Sequence, residues 1–217
     1  MACVRREYFV GLDLGQKHDF TALCVVERAE ETFDVREPVS YQFLRETRLS
    51  VRHLERVRLR TPYPDVVDRV KAVVMDPALD GRRTLVVDAT GVGAPVVDLL
   101  CACGLDCEIV PVMITGGASS NGAGGERRVS KQDLITGLQL MFDLGELQIA
   151  RGLAETATLR NELRGMRVKM SAAGHDSYGS GGRAAHDDLV LAVALACWRA
   201  KGPGKWNWFG GRPDGRG

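Results

Sequence analysis

Four aspartates occupy places where a carboxylate is costly unless something holds it. Asp13 lies inside the apolar run Tyr8-Phe-Val-Gly-Leu-Asp-Leu-Gly15, and Asp88 ends a second run, Thr84-Leu-Val-Val-Asp88. Asp187 and Asp188 stand side by side, behind His186, at the mouth of the apolar segment Leu189 to Trp198. Burying one such charge costs on the order of several kcal/mol unless it is paired or bound to a cation. Clustered carboxylates also repel one another, so a cation is the simplest partner that keeps several of them ionised. An acid-rich, all-oxygen site suits Mg²⁺ or Mn²⁺ rather than zinc. Two such ions roughly 3.5–4 Å apart activate a water and stabilise the leaving oxygen in phosphodiester hydrolysis.

Each acid also has a plainer reading. Asp187 or Asp188 can cap a helix and complement its dipole, and Asp88 before Thr90-Gly91 can form a turn. Asp13 is the hardest to dismiss, because strand interiors disfavour Asp. His186 is either a loop residue or a partner that orients a metal ligand from behind.

The elements that must bring these acids together are legible in outline. Tyr8 to Gly15 and Phe20 to Glu27 read as strands joined by a hairpin turn at Gln16 to Asp19. A third strand is expected near Pro38 to Leu44. Val66, Val67, Val70, Val73 and Val74 recur at helical spacing within Pro64 to Met75. Thr84 to Asp88 is then a short strand, followed by a helix from Ala94 to Cys103. Cys107 to Ile114 is a fifth strand, which Pro111 makes an edge strand or a bulged one. Helices follow from Ser130, as N-cap, to Leu144 and from Leu153 to Met166, with a brief strand at Leu147 to Ile149. Gly116 to Gly125 and Ser171 to Gly182 are expected to be mobile loops. The closing helix carries Asp187 and Asp188 at its start, and the tail from Gly202 is expected to be disordered. The first three strands can pair antiparallel by short turns. The fourth follows a helical crossover and belongs parallel to the first. The expected fold class is α/β: a mixed sheet of five or more strands, flanked by helices, that brings Asp13 and Asp88 to neighbouring strand ends. In open α/β sheets ligands gather at such ends.

Composition bounds the rest. The 217 residues, 45% hydrophobic and 26% charged, are those of an ordinary globular protein of one domain, here residues 1–201. A formal charge of +1 carries no global nucleic-acid signature, so basic surface must come from local clustering. The arginine-rich stretch from Arg45 to Arg60 supplies it, as a solvated face or as a stripe for a phosphate backbone. Candidate DNA contacts are Arg52, Arg56, Arg127, Arg128 and Lys131. No apolar run reaches the roughly eighteen residues of a membrane span, and charges stand where a signal peptide would be apolar. No membrane role is expected, and the expected compartment is a cytoplasm. The six cysteines lack paired zinc-site spacing and read as reduced structural thiols. Gly91-Val-Gly93 matches neither phosphate-loop pattern, so the chain is not expected to be a P-loop ATPase.

Three segments together carry a resemblance: Phe9-Val-Gly-Leu-Asp-Leu-Gly15 with Asp19-Phe-Thr-Ala22, Leu85-Val-Val-Asp-Ala-Thr-Gly-Val-Gly93, and His186-Asp-Asp-Leu-Val-Leu-Ala192. In order and type they resemble the nuclease domain of tailed-phage terminase large subunits, over about residues 8–200, with Lys131 to Ile149 also similar. The resemblance implies a ribonuclease H-like fold and a metal-dependent endonuclease that cuts concatemeric viral DNA during genome packaging. It implies Asp13, Asp88 and one or both of Asp187 and Asp188 as ligands of Mg²⁺ or Mn²⁺. It implies double-stranded DNA, a packaging ATPase motor, the small terminase subunit and the portal as partners, in the cytoplasm of a host cell. Leu191 stands where many relatives carry a further acid. The chain departs from the family in lacking the motor half that usually precedes the nuclease, and is expected to be an excised domain or a separate gene product that works with a motor supplied elsewhere. A junction resolvase or other ribonuclease H-like nuclease is the alternative. An actin-like kinase, whose phosphate hairpin Gly11 to Gly15 also resembles, and a non-catalytic packaging module are further readings.

Overall fold

The computed structural model describes residues 3–15, 19–91, 93–116, 127–170, 176–180 and 186–202. Strands β1 (Cys3–Asp13), β2 (Thr21–Arg36) and β3 (Phe43–Val57) form an antiparallel meander. Helix α1 (Tyr63–Val74) crosses to β4 (Arg82–Asp88), and α2 (Gly93–Ala102) to β5 (Glu108–Thr115). The short strand β6 (Arg127–Ser130) leads into α3 (Lys131–Asp143), β7 (Leu147–Ile149) and α4 (Thr156–Gly165). A small hairpin, β8 (Met166–Met170) with β9 (Asp176–Ser180), precedes the closing helix α5 (Asp188–Lys201). Among the described residues, seven strands form one mixed sheet in the order β6-β5-β4-β1-β2-β3-β7. β4 runs parallel to β1, β5 to β4, β6 to β5 and β7 to β3.

Period-two alternation sorts the strands between two cores. Val10, Leu12, Leu23, Val25, Leu85 and Val87 face α1 and α2. Phe9, Ala22, Cys24, Val26, Val86 and Val110 face α3, α4 and α5. Continuing that alternation one step beyond the last register pair, Leu12 opposite Val87, puts Asp13 and Asp88 on the α5 face. Helix α5 is apolar all round and almost wholly buried, as a helix sunk in a core must be. It lies so close to β1 that a Cβ built on Gly11 would sit 2.0 Å from the Ala192 carbonyl oxygen. The Cys24 thiol donates to that same oxygen at 3.2 Å, and burial pushes its pKa up to about 12, so it stays a protonated core thiol. All six cysteines are free.

Several expectations are corrected. The third strand is not Pro38 to Leu44 but Phe43–Val57, which turns most of the arginine-rich stretch into a sheet strand. Its apolar phase is broken by a bulge: Val25 pairs with His53 but Val26 with Val51, leaving Arg52 as the extra residue. β5 is not an edge strand, since β6 lies beyond it. Pro111 is tolerated because β6 pairing begins only at Val112, whose carbonyl faces the β4 side and accepts from Ala89. The loop expected at Ser171 to Gly182 contains β9, while residues 171–175 and 181–185 lie outside the described residues. The helix expected from Leu153 begins at Thr156. The turn at residues 16–18, most of the loop at Gly116 to Gly125 and the tail from 203 onward also lie outside the described residues. Among the described residues no helix is long and apolar enough to cross a membrane.

Candidate metal centre

Adjacent parallel strands deliver Asp13 and Asp88 to the same end of the sheet, where the charge of Asp88 bears on Asp13. Asp13 is buried, and desolvation followed by the charges of Asp88, Asp188 and Asp187 holds its pKa well above the usual carboxylate range. Lys131 pulls in the opposite direction. Asp88 is raised mainly by burial and eased by Thr90, whose backbone N–H donates to Oδ1 at 2.8 Å. That turn is the plain role foreseen for Asp88, and it holds one carboxylate oxygen while the acid still faces Asp13.

Helix α5 supplies the other two acids, and it uses them differently. Asp187 is the N-cap residue by backbone position, yet its side chain makes no capping bond. Its Oδ2 instead meets the Lys131 ammonium, at the start of α3, at 2.5 Å. Asp188, only 4% exposed, points into the site: its Oδ2 accepts the Phe20 N–H at 3.3 Å and lies 3.6 Å from His186 Nδ1. Burial raises the Asp188 pKa, against the nearby charges of His186 and Arg56. The His186 Nδ1 is 3.8 Å from Asp19 Oδ1, and its ring meets Phe20 edge-on at 5.3 Å. Among the described residues, donor atoms of Asp19, His186 and Asp188 all lie within 4.8 Å of one another.

The four acids read from sequence are thus divided. Asp13 stands at the strand end beside that of Asp88, Asp188 joins Asp19 and His186, and Asp187 is held by Lys131. Asp19 was not a sequence candidate, although it stands in the Asp19-Phe-Thr-Ala22 segment beside the first motif. Lys131, read as a DNA contact, lies against the acids. Arg56, also read as a DNA contact, packs over the Phe20 ring at 4.7 Å and ion-pairs with the buried Glu162 of α4. Arg52 pairs with Glu27 at 3.0 Å on the sheet surface. Arg127 and Arg128 are exposed on β6, level with the site end of β5. Glu162 was missed, though it falls on the stripe of Leu159, Leu163 and Met166, which packs inward.

No protein-family model matches the sequence, and no curated protein sequence does. Solved structures do. The chain superposes on the large terminase nuclease from thermophilic phage G20c with bound magnesium, with a TM-score of 0.58, 24% identity, and coverage of 89% of this chain and 82% of that one. The nuclease domain of the Thermus phage P74-26 large terminase gives 0.61 at 23% identity, covering 91% and 81%. A K428A mutant nuclease domain of the large terminase subunit gp2 of bacterial virus Sf6, with manganese and beta-thujaplicinol, gives 0.54 at 14% identity, covering 89% and 87%. The fold is therefore the ribonuclease H-like fold of these nuclease domains: a mixed sheet, its first strands antiparallel and the rest parallel, flanked by helices.

Proposed function

We propose that this chain is a metal-dependent DNA endonuclease of the terminase type, cutting concatemeric viral DNA during genome packaging. The observation that carries this is the convergence of buried acids at one end of the sheet. Asp13 and Asp88 end neighbouring strands, and the charges of Asp188 and Asp187 bear on Asp13 from the start of α5. The donor set fits hard divalent cations. It is carboxylate-rich and mutually repelling, with Asp13 and Asp188 buried, and the metals named with the similar nuclease structures include magnesium and manganese. Asp13, Asp88, Asp188, Asp19 and His186 are the residues that would hold the ions. His186 is then a ligand candidate rather than only a partner behind one. Asp187, engaged by Lys131, serves less as a ligand than as the anchor that keeps the lysine among the acids. When bound, the ions would generate the attacking hydroxide and stabilise the departing oxygen of the phosphodiester.

The remaining work belongs to the protein. Thr90 fixes the Asp88 carboxylate by its N–H, and the Phe20 N–H fixes that of Asp188, so both acids present a set orientation. Lys131 offsets part of the acid charge when no metal is present. Arg127 and Arg128, exposed at the site end, suit contact with a duplex phosphate backbone, and Arg52 and Arg56 pair with Glu27 and Glu162. On this reading the partners are double-stranded DNA, a packaging ATPase motor, the small terminase subunit and the portal, in the cytoplasm of a host cell.

The test is nicking and linearisation of supercoiled plasmid with Mn²⁺, Mg²⁺ or EDTA, comparing the native chain with Asp88→Asn. Cutting that needs the metal and drops by about 100-fold or more in the variant is expected. A folded native protein that neither binds Mn²⁺ nor cuts under any of these conditions would sink the proposal.

A further inference from the structure

Helix α5 has no cap of its own, because the Asp187 side chain is committed to Lys131. An α-helix nevertheless begins with amide groups that need acceptors, and these are costly to leave bare in a buried first turn. The acceptor here comes from another helix. Glu162 Oε2 on α4 receives the Val190 N–H at 3.0 Å, while its Oε1 receives the guanidinium of Arg56 on β3. The same guanidinium stacks over Phe20, whose own N–H bonds Asp188, and its Nη2 stands 4.0 Å from Asp188 Oδ2. Both partners are largely buried.

We infer that Arg56 and Glu162 are positioning residues: a clamp, borrowed from β3 and α4, that fixes the first turn of α5 and so aims Asp188 at the metal site. The clamp does in trans what a capping aspartate would do in place. It thereby leaves Asp188 free for the site and Asp187 for Lys131. This inference rests on the proposed metal-dependent function for its consequence, but not for its geometry. It also assigns Arg56 a role other than phosphate contact.

Two variants test it. Removing one partner alone would strand a buried charge, so the pair is replaced together, Arg56→Leu with Glu162→Leu. The rescue control is Arg56→Leu with Glu162→Gln, which keeps an oxygen acceptor for the Val190 N–H and strands no charge. Calorimetric Mn²⁺ binding, thermal unfolding and amide exchange at Val190 are measured on each. The double Leu variant is expected to bind Mn²⁺ about tenfold more weakly, the usual effect of losing a residue that orients a ligand, with its unfolding temperature lowered because the Val190 N–H is left bare. Its Val190 amide should exchange faster, and the Gln control should stay within about twofold of the native Mn²⁺ affinity. Native-like Mn²⁺ binding in the folded double Leu variant would overturn the inference. If the double Leu variant does not fold, Arg56→Lys takes its place. It keeps a cation on Glu162 but loses the planar fork that also faces Asp188 and Phe20. Weakened Mn²⁺ binding in it supports the clamp, and native binding overturns it. A native protein that binds no Mn²⁺ refutes the proposed function instead. The Val190 amide then judges the clamp alone, faster exchange in the variants supporting it and unchanged exchange overturning it.

Discussion

Asp13 carries the most conflict of any residue in the chain, and that conflict makes it testable without a nuclease assay. It is buried, it faces Asp88, Asp188 and Asp187, and its pKa is held well above the ordinary value of 3.8. A raised folded pKa means that the fold prefers the protonated acid. The stabilising contribution is full below the unfolded pKa and is lost as the pH rises through the folded one. Without divalent metal, Asp13→Asn should therefore be more stable than the native chain at neutral pH, and the gap should narrow as the pH is lowered. Asn removes the charge while keeping the shape of the side chain. Each kcal/mol relieved should raise Tm by about 2–4 °C. Saturating Mn²⁺ should reverse the order, stabilising the native chain by binding and leaving the variant unmoved. Thermal melts across pH, with Mn²⁺ and with EDTA, decide this. A variant less stable than the native chain in EDTA at neutral pH would show that Asp13 is satisfied by the fold alone.

At the scale of elements, the site depends on how closely α5 approaches β1. Gly11 is the point of contact, with the Ala192 carbonyl carbon 2.9 Å and the Ala196 Cβ 3.2 Å from where its Cβ would stand. Because the nearest obstruction is helix backbone, relief requires α5 itself to move. Gly11→Ala should cost about 3 kcal/mol, the upper end of overpacking, and should weaken Mn²⁺ binding by shifting Asp188. Urea unfolding that shows a loss below about 0.5 kcal/mol would mean that the contact is not tight. The same packing gives Gly11 a role with no phosphate in it, and so weakens the kinase-like reading of Gly11 to Gly15. Asp13, Asp88 and α5 were legible because each interrupts or ends a long apolar pattern, and a charge in such a place needs an explanation. β3 was not, because the bulge at Arg52 breaks the alternation of Leu49, Val51 and Leu54 and the surrounding arginines suggest open surface. β6 has only Val129 to mark it as buried. Asp19 and Glu162 escaped for a different reason. Their roles exist only once a loop end and α4 are packed against the start of α5, and no local spacing encodes that.

For the whole molecule, the sheet has two unlike ends, and the charge balance of +1 conceals the difference. At the site end the acids converge and the exposed arginines of β6 stand beside them. Along the sheet and across to α1, arginines are matched by glutamates: Arg28 with Glu7 at 3.2 Å, Arg45 with Glu30 at 3.6 Å, Arg48 with Glu46 at 3.1 Å and Arg69 of α1 with Glu55 at 2.7 Å. Pairs of this kind add little stability, but they cancel the field that a basic stripe would offer to a phosphate backbone. At the far end, the β2–β3 hairpin runs past the start of β1 and exposes Val35, Val39, Tyr41, Phe43 and Leu44. Tyr41 even adopts a left-handed φ of 57°, a conformation that asparagine takes more easily. Nothing in the two cores includes these side chains. Exchanging Val39 for Thr, Tyr41 for Asn and Leu44 for Thr should therefore change stability by no more than about 0.5 kcal/mol each. Mn²⁺ affinity should stay as it is in the native chain. Thermal melts and calorimetry on the triple variant check both statements together. A fall in metal affinity with the fold intact would mean that β2 transmits the state of its far end to Thr21 and Phe20, and the two ends of the sheet could no longer be treated as independent.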